Sequence, residues 1–458
     1  MRILALASTL LFCALNVIPQ KTDQGGNSSL SVKLQPLKIE FYKLQNGLRV
    51  VLNPDDSVPV VSVAVFYDVG SRNEKPGKTG FAHLFEHMMF QGSENVGKAE
   101  HFQYISKAGG TMNGTTSSER TNYFETLPAN QLPLALWLES DRMRSLAVTK
   151  ENLDNQRETV KEEKKLRYDN QPYGQVFDLI NSMIYKNFAN AHSTIGSMED
   201  LDAATVEDVK EFFRIYYAPN NAVLVISGFF DVEEAKKLVE KYFATIPKQP
   251  APPPVDVSEP EEVAVKTKVY EDKFAPLPAF LDGWKIPPRN TLEFKTLFLA
   301  GKLLYDGESS RLYQKLVKGD ESVIQIFGIT DERRGPSAML IGALPKPGKD
   351  VRQIRSQIYA EIKQLATEGP TPEEIKKLHN QLINDEIRLR QSSLSRALRL
   401  GEYALYDGDP FLANKELEDL LKITPEQIRN AVNKYLNTEN RAQLDVIPAK
   451  NNKQEVMQ

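Results

Sequence analysis

Along the chain, short β-prone runs and longer helical runs succeed one another, and the breaks between them mark out the elements. Phe41 to Leu44 and Leu48 to Leu52 flank Gln45-Asn46-Gly47, a strong turn signal, so a hairpin is predicted there. Val60 to Val69, rich in valine and entered just after Pro59, reads as a third strand. Thr79 to Phe90 is an apolar run without proline and reads as a buried helix. Glu100 to Lys107 reads as a second helix, stopped by Gly109-Gly110, where left-handed backbone costs little. Thr111 to Thr116 and Arg120 to Leu127 then look like strands, and Leu132 to Ser145 like a helix. Thr149 can cap a long helix to about Tyr168, and Thr205 to Tyr217 is another, leading into a strand from Ala222 to Ser227; Asp231 to Ala244 closes this half. The alternation has no doubly wound rhythm, so the expected class is α+β, with mostly antiparallel sheets packed against helices.

Pro247-Lys248-Gln249-Pro250-Ala251-Pro252-Pro253-Pro254, with the acidic stretch to Glu262, reads as a semi-rigid linker over 247–262. It separates two nearly equal parts, 38–246 and 263–450, and repetition joins them. Thr205-Val206-Glu207-Asp208-Val209 with Tyr216 and Asn221 matches Thr424-Pro425-Glu426-Gln427-Ile428 with Tyr435 and Asn440. Thr149-Lys150-Glu151-Asn152-Leu153 likewise matches Thr371-Pro372-Glu373-Glu374-Ile375, and both pairs lie about 220 residues apart. Thr-x-Glu is also a common helix start, but two such matches at one offset favour a duplicated domain.

The first residues add a different signal. Met1-Arg2 precedes a mostly apolar stretch from Ile3 to Ile18, which turns polar from Pro19 to Gln24. That pattern predicts a signal peptide over 1–20, a polar tether over 21–37 and a periplasmic or secreted location; 451–458 is a polar tail. The apolar stretch is shorter than the roughly 20 residues of a membrane span. Cys13, the one cysteine, lies inside it, so the mature chain would carry no thiol and no disulfide. At 458 residues and a formal net charge of −4, the composition is that of a globular protein with no basic excess, and nothing in it points to nucleic acid.

Candidate chemistry concentrates in the apolar helix. His83-Leu84-Phe85-Glu86-His87 puts two of the chain's five histidines four residues apart, so both imidazoles project from one helical face and can reach one cation. Glu86 lies on the neighbouring flank as general base, in the H-x-x-E-H order of inverted zincins. The competing use of these side chains is hydrogen bonding within a core, but two histidines and a glutamate buried together without a metal would need other partners. His101, His192 and His379 fall outside the motif and are read as structural or exposed.

A catalytic zinc site wants three protein ligands and an open position. The helix from Thr149 offers Gln156-Arg157-Glu158-Thr159-Val160-Lys161-Glu162-Glu163, a charge run that could equally be a solvated face. Glu163 follows Gln156 by seven residues and Val160 by three and shares their stripe, whereas Glu162 points about 100° away. Glu163 is therefore the expected third ligand, with manganese and cobalt as alternatives to zinc.

Taken together, these motifs resemble the pitrilysin and insulinase family, which includes the mitochondrial processing peptidases. Its pattern is H-x-x-E-H with a glutamate some 76 residues on in an Arg-x-x-Val-x-x-Glu context, and Arg157, Val160 and Glu163 fit. Gly109 to Thr116 resembles the family's active-site edge strand, followed by Glu119-Arg120-Thr121-Asn122-Tyr123. The resemblance implies two tandem homologous domains, one Zn2+ per chain and an endopeptidase that hydrolyses peptides or small unfolded proteins in a closed chamber. It also implies that an extended substrate pairs with the strand near Asn113, although Asn113 could equally be a turn residue between Met112 and Gly114.

Two departures stand out. Position 156 is glutamine where several relatives carry a second glutamate. The second part, 263–450, has no copy of the metal motif and reads as a silent domain beside the metal-bearing catalytic domain 38–246. Active relatives hold substrate with an Arg and a Tyr seven residues apart after a Ser-Ser-Arg-Leu-like stretch of such a domain, and here Ser309-Ser310-Arg311-Leu312 is followed by Val317 and Ile324 at those places. A partner subunit bearing the Arg/Tyr pair is the inference, making this chain the metal-bearing half of a heterodimer. The competing readings are a non-enzymatic scaffold or assembly subunit of the same fold, and a zinc-dependent amidase on non-peptide substrates.

Overall fold

The computed structural model describes residues 34–449 except residue 262. The expected leader and the polar tail therefore lie outside the described residues, as does most of the tether. No helix among the described residues is long and apolar enough to cross a membrane.

The described strands form two sheets. The first runs in the order β1 (Glu40–Lys43), β2 (Arg49–Pro54), β6 (Ala222–Gly228), β3 (Val60–Tyr67), β5 (Thr121–Pro128), β4 (Thr111–Thr116). The second runs β7 (Val265–Asp272), β11 (Arg441–Pro448), β8 (Ala279–Ile286), β10 (Ser337–Pro345), β9 (Val323–Asp331). In each sheet one pair is parallel, β2 with β6 and β7 with β11, and the remaining pairs are antiparallel. With the β1 hairpin strand set aside the two orders superimpose strand for strand, so the fold is α+β with two homologous tandem domains.

Helix starts repeat with the strands. Thr205 accepts from the Asp208 N–H and Thr424 from the Gln427 N–H, and in both the third helical side chain returns to the cap residue's N–H. Val206 and Pro425, the first residues of these two helices, lie 219 positions apart. Thr149 accepts from the Asn152 N–H at the start of Lys150–Lys164 and Thr371 from the Glu374 N–H at the start of Pro372–Gln391, the second with the return bond as well. The helix from Thr149 stops being α-helical at Lys164 and continues as one π-helical turn over Lys165–Asp169.

The halves are not self-contained, because each lends a helix to the other. Val176–Ile184, which follows the π-helical turn, buries Val176, Ile180, Met183 and Ile184 against Leu281, Leu340 and Leu444 of the second sheet. Ser393–Tyr406 buries Ala397, Leu400, Ala404 and Leu405 against Val51, Ala64, Phe66, Val223 and Val225 of the first. Both contacts need a glycine: a Cβ on Gly401 would stand 2.1 Å from the Phe66 ring, and one on Gly283 would stand 2.5 Å from Ile184 Cδ1. The linker is held to the surface rather than free, since Asn187 donates to the Asp256 and Ser258 carbonyls and Asn190 to that of Val257.

Candidate metal centre

Two separate helices meet at the candidate site. The motif helix, Phe81–Met88, buries Phe81, Ala82, Leu84, Phe85 and Met88 in the first core, which turns the remaining face with His83 and His87 toward Lys150–Lys164. On that second helix Leu153, Gln156 and Val160 are buried, and Glu163 continues their stripe. The side chain of Glu162 is 60% exposed and pairs with Lys165, whereas that of Glu163 is 18% exposed and faces the imidazoles. Arg157 fixes the ligand helix sideways, donating to the Leu201 and Ala204 carbonyls at 2.9 and 2.6 Å.

Glu163 Oε2 lies 3.2 Å from His87 Nε2 and 3.8 Å from His83 Nε2, and the two rings stand edge to face with centroids 4.9 Å apart. Tetrahedral ligation at about 2.0–2.1 Å separates ligand atoms by about 3.3 Å; the Glu163–His87 spacing already matches it, and all three donors lie within 4.8 Å of one another. The protonation of His83 and Glu163 suits a cation as well. Burial, reinforced by His87, lowers His83 to about 4, leaving a neutral imidazole at pH 7. The hydrogen bond from His87 holds Glu163 below its ordinary value as a carboxylate, and Arg167, four residues on, pairs with its other oxygen at 2.8 Å. His83 Nδ1 is buried without a protein hydrogen-bond partner.

Glu86 stands beside the triad without belonging to it. Its Oε2 accepts from Thr116 Oγ1 at 2.6 Å, and burial raises its pKa above that of a free glutamate. Thr116 comes from β4, the edge strand of its sheet, where a Cβ on Gly114 would stand 3.2 Å from Glu86 Cγ. Gly114 and Thr116 therefore share the face toward the motif helix, and Asn113 alternates to the other. Asn113 lies within the strand, paired with Phe124, so it is not a turn residue; it is exposed and its Oδ1 accepts from the Gly114 N–H at 2.9 Å.

The family description "Insulinase (Peptidase family M16)" matches residues 49–197, and "Peptidase M16 inactive domain" matches 203–382. The chain is 28% identical over 403 residues to the zinc protease PqqE of Helicobacter pylori, covering 86% of this chain and 91% of that one. It belongs to the pitrilysin/insulinase (M16) family of peptidases. A solved structure of a protease from Helicobacter pylori superimposes with a TM-score of 0.87 at 27% identity, over 90% of this chain and all of that one. The beta subunit of the mitochondrial-processing peptidase of Saccharomyces cerevisiae is 27% identical over 253 residues, 55% of this chain and 51% of that one.

Within the M16 fold the departures in this chain acquire places. Gln156 is buried, and its amide donates to Asn155 Oδ1 at 2.7 Å. Val317 sits in a π-helical turn, Tyr313–Gly319, half-buried against the second core, and Ile324 lies on edge strand β9, 49% exposed. Neither can hydrogen-bond a peptide through its side chain.

The remaining histidines are not exposed. His379 is half-buried on Pro372–Gln391, and His192 is buried against Glu74. His101 forms a second possible ligand group with Glu125 and Glu139, all three buried. There the Arg142 guanidinium pairs with Glu139 and lies 4.4 Å from the Tyr123 ring centroid, so a fixed side-chain cation already serves the cluster. Sequence reasoning missed Thr116, Arg167 and Glu74. Only Arg167 had a local signal, its spacing of four from Glu163 on one helix.

Proposed function

We propose that this M16 chain is a zinc-dependent endopeptidase in which His83, His87 and Glu163 hold the ion and Glu86 moves the proton. The observation that carries the reading is the convergence of three ligand atoms from two helices, all within 4.8 Å of one another, with Glu86 at their edge. When bound, zinc lowers the pKa of a water toward neutrality and polarises a carbonyl. Glu86 takes the proton from the attacking water and returns it to the leaving amine. Thr116 fixes one oxygen of Glu86, leaving the other for that transfer. The open edge of β4 suits an extended peptide added as a further strand, read through its backbone more than its side chains, with Asn113 as a substrate contact. A chamber closed by a partner subunit would admit peptides and small unfolded proteins and exclude large folded ones.

Val317 and Ile324 support the proposal that the Arg/Tyr substrate pair comes from that partner. The same two residues, with the match of the second half to an inactive domain, also favour a second reading, a scaffold subunit of this fold. A leader over 1–20 would deliver either to the periplasm or the exterior. Glu86→Gln separates the two: retained zinc with peptide cleavage reduced by about 10²–10⁴-fold supports catalysis. Cleavage unchanged by that substitution would contradict it. Assaying a peptide library before and after adding a candidate partner chain tests the divided site.

A further inference from the structure

The motif helix starts abruptly. Its cap residue is Gly80, at φ 83°, and no side chain of a cap residue satisfies the first turn. The opening N–H groups of a helix have no carbonyl of their own helix to meet. Here one carboxylate takes two of them. Glu74 Oε2 accepts from the Gly80 N–H at 2.9 Å and Oε1 from the Ala82 N–H at 2.7 Å, and the Glu74 side chain is wholly buried.

A buried carboxylate needs more than two amides. His192 supplies the rest, with Nε2 at 3.0 Å from Glu74 Oε2 and Nδ1 at 2.6 Å from the Phe188 carbonyl. A carbonyl only accepts, so Nδ1 carries a proton and Nε2 is the nitrogen that shares one with Glu74. The Phe188 ring stacks on the imidazole at 4.2 Å and 7°, which fixes its plane. This segment is tied to the second half, since Arg333 donates to the Asn190 carbonyl at 2.7 Å. A continuous path thus runs from the silent domain through His192 and Glu74 to the start of the helix that carries His83 in its first turn.

We infer that Glu74 and His192 are positioning residues of the metal centre, fixing the start and rotation of the motif helix so that both imidazoles face Glu163 on the neighbouring helix. The inference rests on the metal reading above. One residue of phase is 100° on a helix, so fraying of the first turn removes His83 from the site before it touches the fold. Loss of either residue is then expected to weaken zinc binding about 10–100-fold, as for other groups that orient metal ligands.

The test is Zn2+ titration of the full chain against a chelator, with the visible spectrum of the Co2+-loaded chain as a geometric readout, for wild type, Glu74→Gln and His192→Gln. The expected result is weaker Zn2+ binding and an altered Co2+ spectrum in both variants, with an unchanged far-ultraviolet circular dichroism spectrum. Folded variants that bind Zn2+ within twofold of wild type and keep its Co2+ spectrum would overturn the inference and leave the pair a purely structural role. Should Glu74→Gln not fold, His192→Gln decides alone, because its amide fills the same space without the Phe188 stacking and the Phe188 carbonyl bond that fix the imidazole against Glu74. A wild-type chain that binds no Zn2+ would instead overturn the metal reading itself.

Discussion

The two halves set different groups against one carboxylate at the same register. In the first, Glu163 stands 14 residues after the cap Thr149 and faces two imidazoles of the helix between β3 and β4. In the second, Asp385 stands 14 residues after the cap Thr371 and faces Lys302, 2.9 Å away, on Leu292–Leu304 between β8 and β9. Lys302 also pairs with Asp306 at 2.9 Å, and its neighbouring carboxylates raise its pKa against the opposing effect of burial. A tethered ammonium thus occupies the place where the first half sets the two imidazoles proposed to hold an exchangeable ion. The rest of Leu292–Leu304 is apolar toward its core, with Phe294, Leu297, Ala300 and Leu304 buried. At this register the second half therefore differs from the first by a handful of side chains on an unchanged topology.

The comparison can be sharpened at the base. Thr116→Val removes a hydrogen bond to a charged group, which is worth about 1.5–3 kcal/mol, and should lower kcat/KM by about 10–100-fold while zinc content stays constant. An unchanged kcat/KM would mean that Thr116 does not hold Glu86 for reaction.

The exchanged helices are the next point of attack. Gly401→Leu forces a side chain into Phe66 and should cost about 1–3 kcal/mol or more, read as a lower urea midpoint. Zinc per folded chain should not change, since the contact lies on the sheet face away from the motif helix. Equal stability would show that the helix–sheet seam has room the structure does not display.

Acid should distinguish the halves through His83. Its folded pKa, about 4, lies below the unfolded value of about 6.5, so between those values the unfolded chain binds more protons. Stability of the metal-free protein should therefore fall as pH drops from about 6.5 to about 4 and level off below, a slope that His83→Asn flattens. Lys302, raised above an already high value, contributes no slope there. The smallest effect is expected from Lys302→Met, which breaks pairs whose carboxylates are nearly half exposed and should cost about 0–1 kcal/mol in urea melts.

Much of this was legible along the chain because it is local. Cap threonines announce their helices through contacts within three residues, Asn46-Gly47 announces its hairpin, and spacings of four and seven settle which side chains share a helical stripe. That is enough to bring His83, His87 and Glu163 into one picture. What escaped depends on contacts between distant segments. Helix Val176–Ile184 is not predicted from the sequence, and nothing in its residues says that its apolar face belongs to the other half's sheet. Thr116, Glu74 and His192 act across 30, 6 to 8 and 118 positions, and their residue types are ordinary for strand, loop and turn. The Lys302–Asp385 pair becomes visible only once the two halves are laid on each other.

On this proposal one half holds an exchangeable metal and the other a fixed charge at the same register. That difference is tested most directly by the metal content of the purified chain and of two matched variants, Glu163→Gln and Asp385→Asn. The expected content is one zinc per chain in the wild type, essentially none in Glu163→Gln, and one in Asp385→Asn. Zinc retained by Glu163→Gln, or lost from Asp385→Asn, would contradict it.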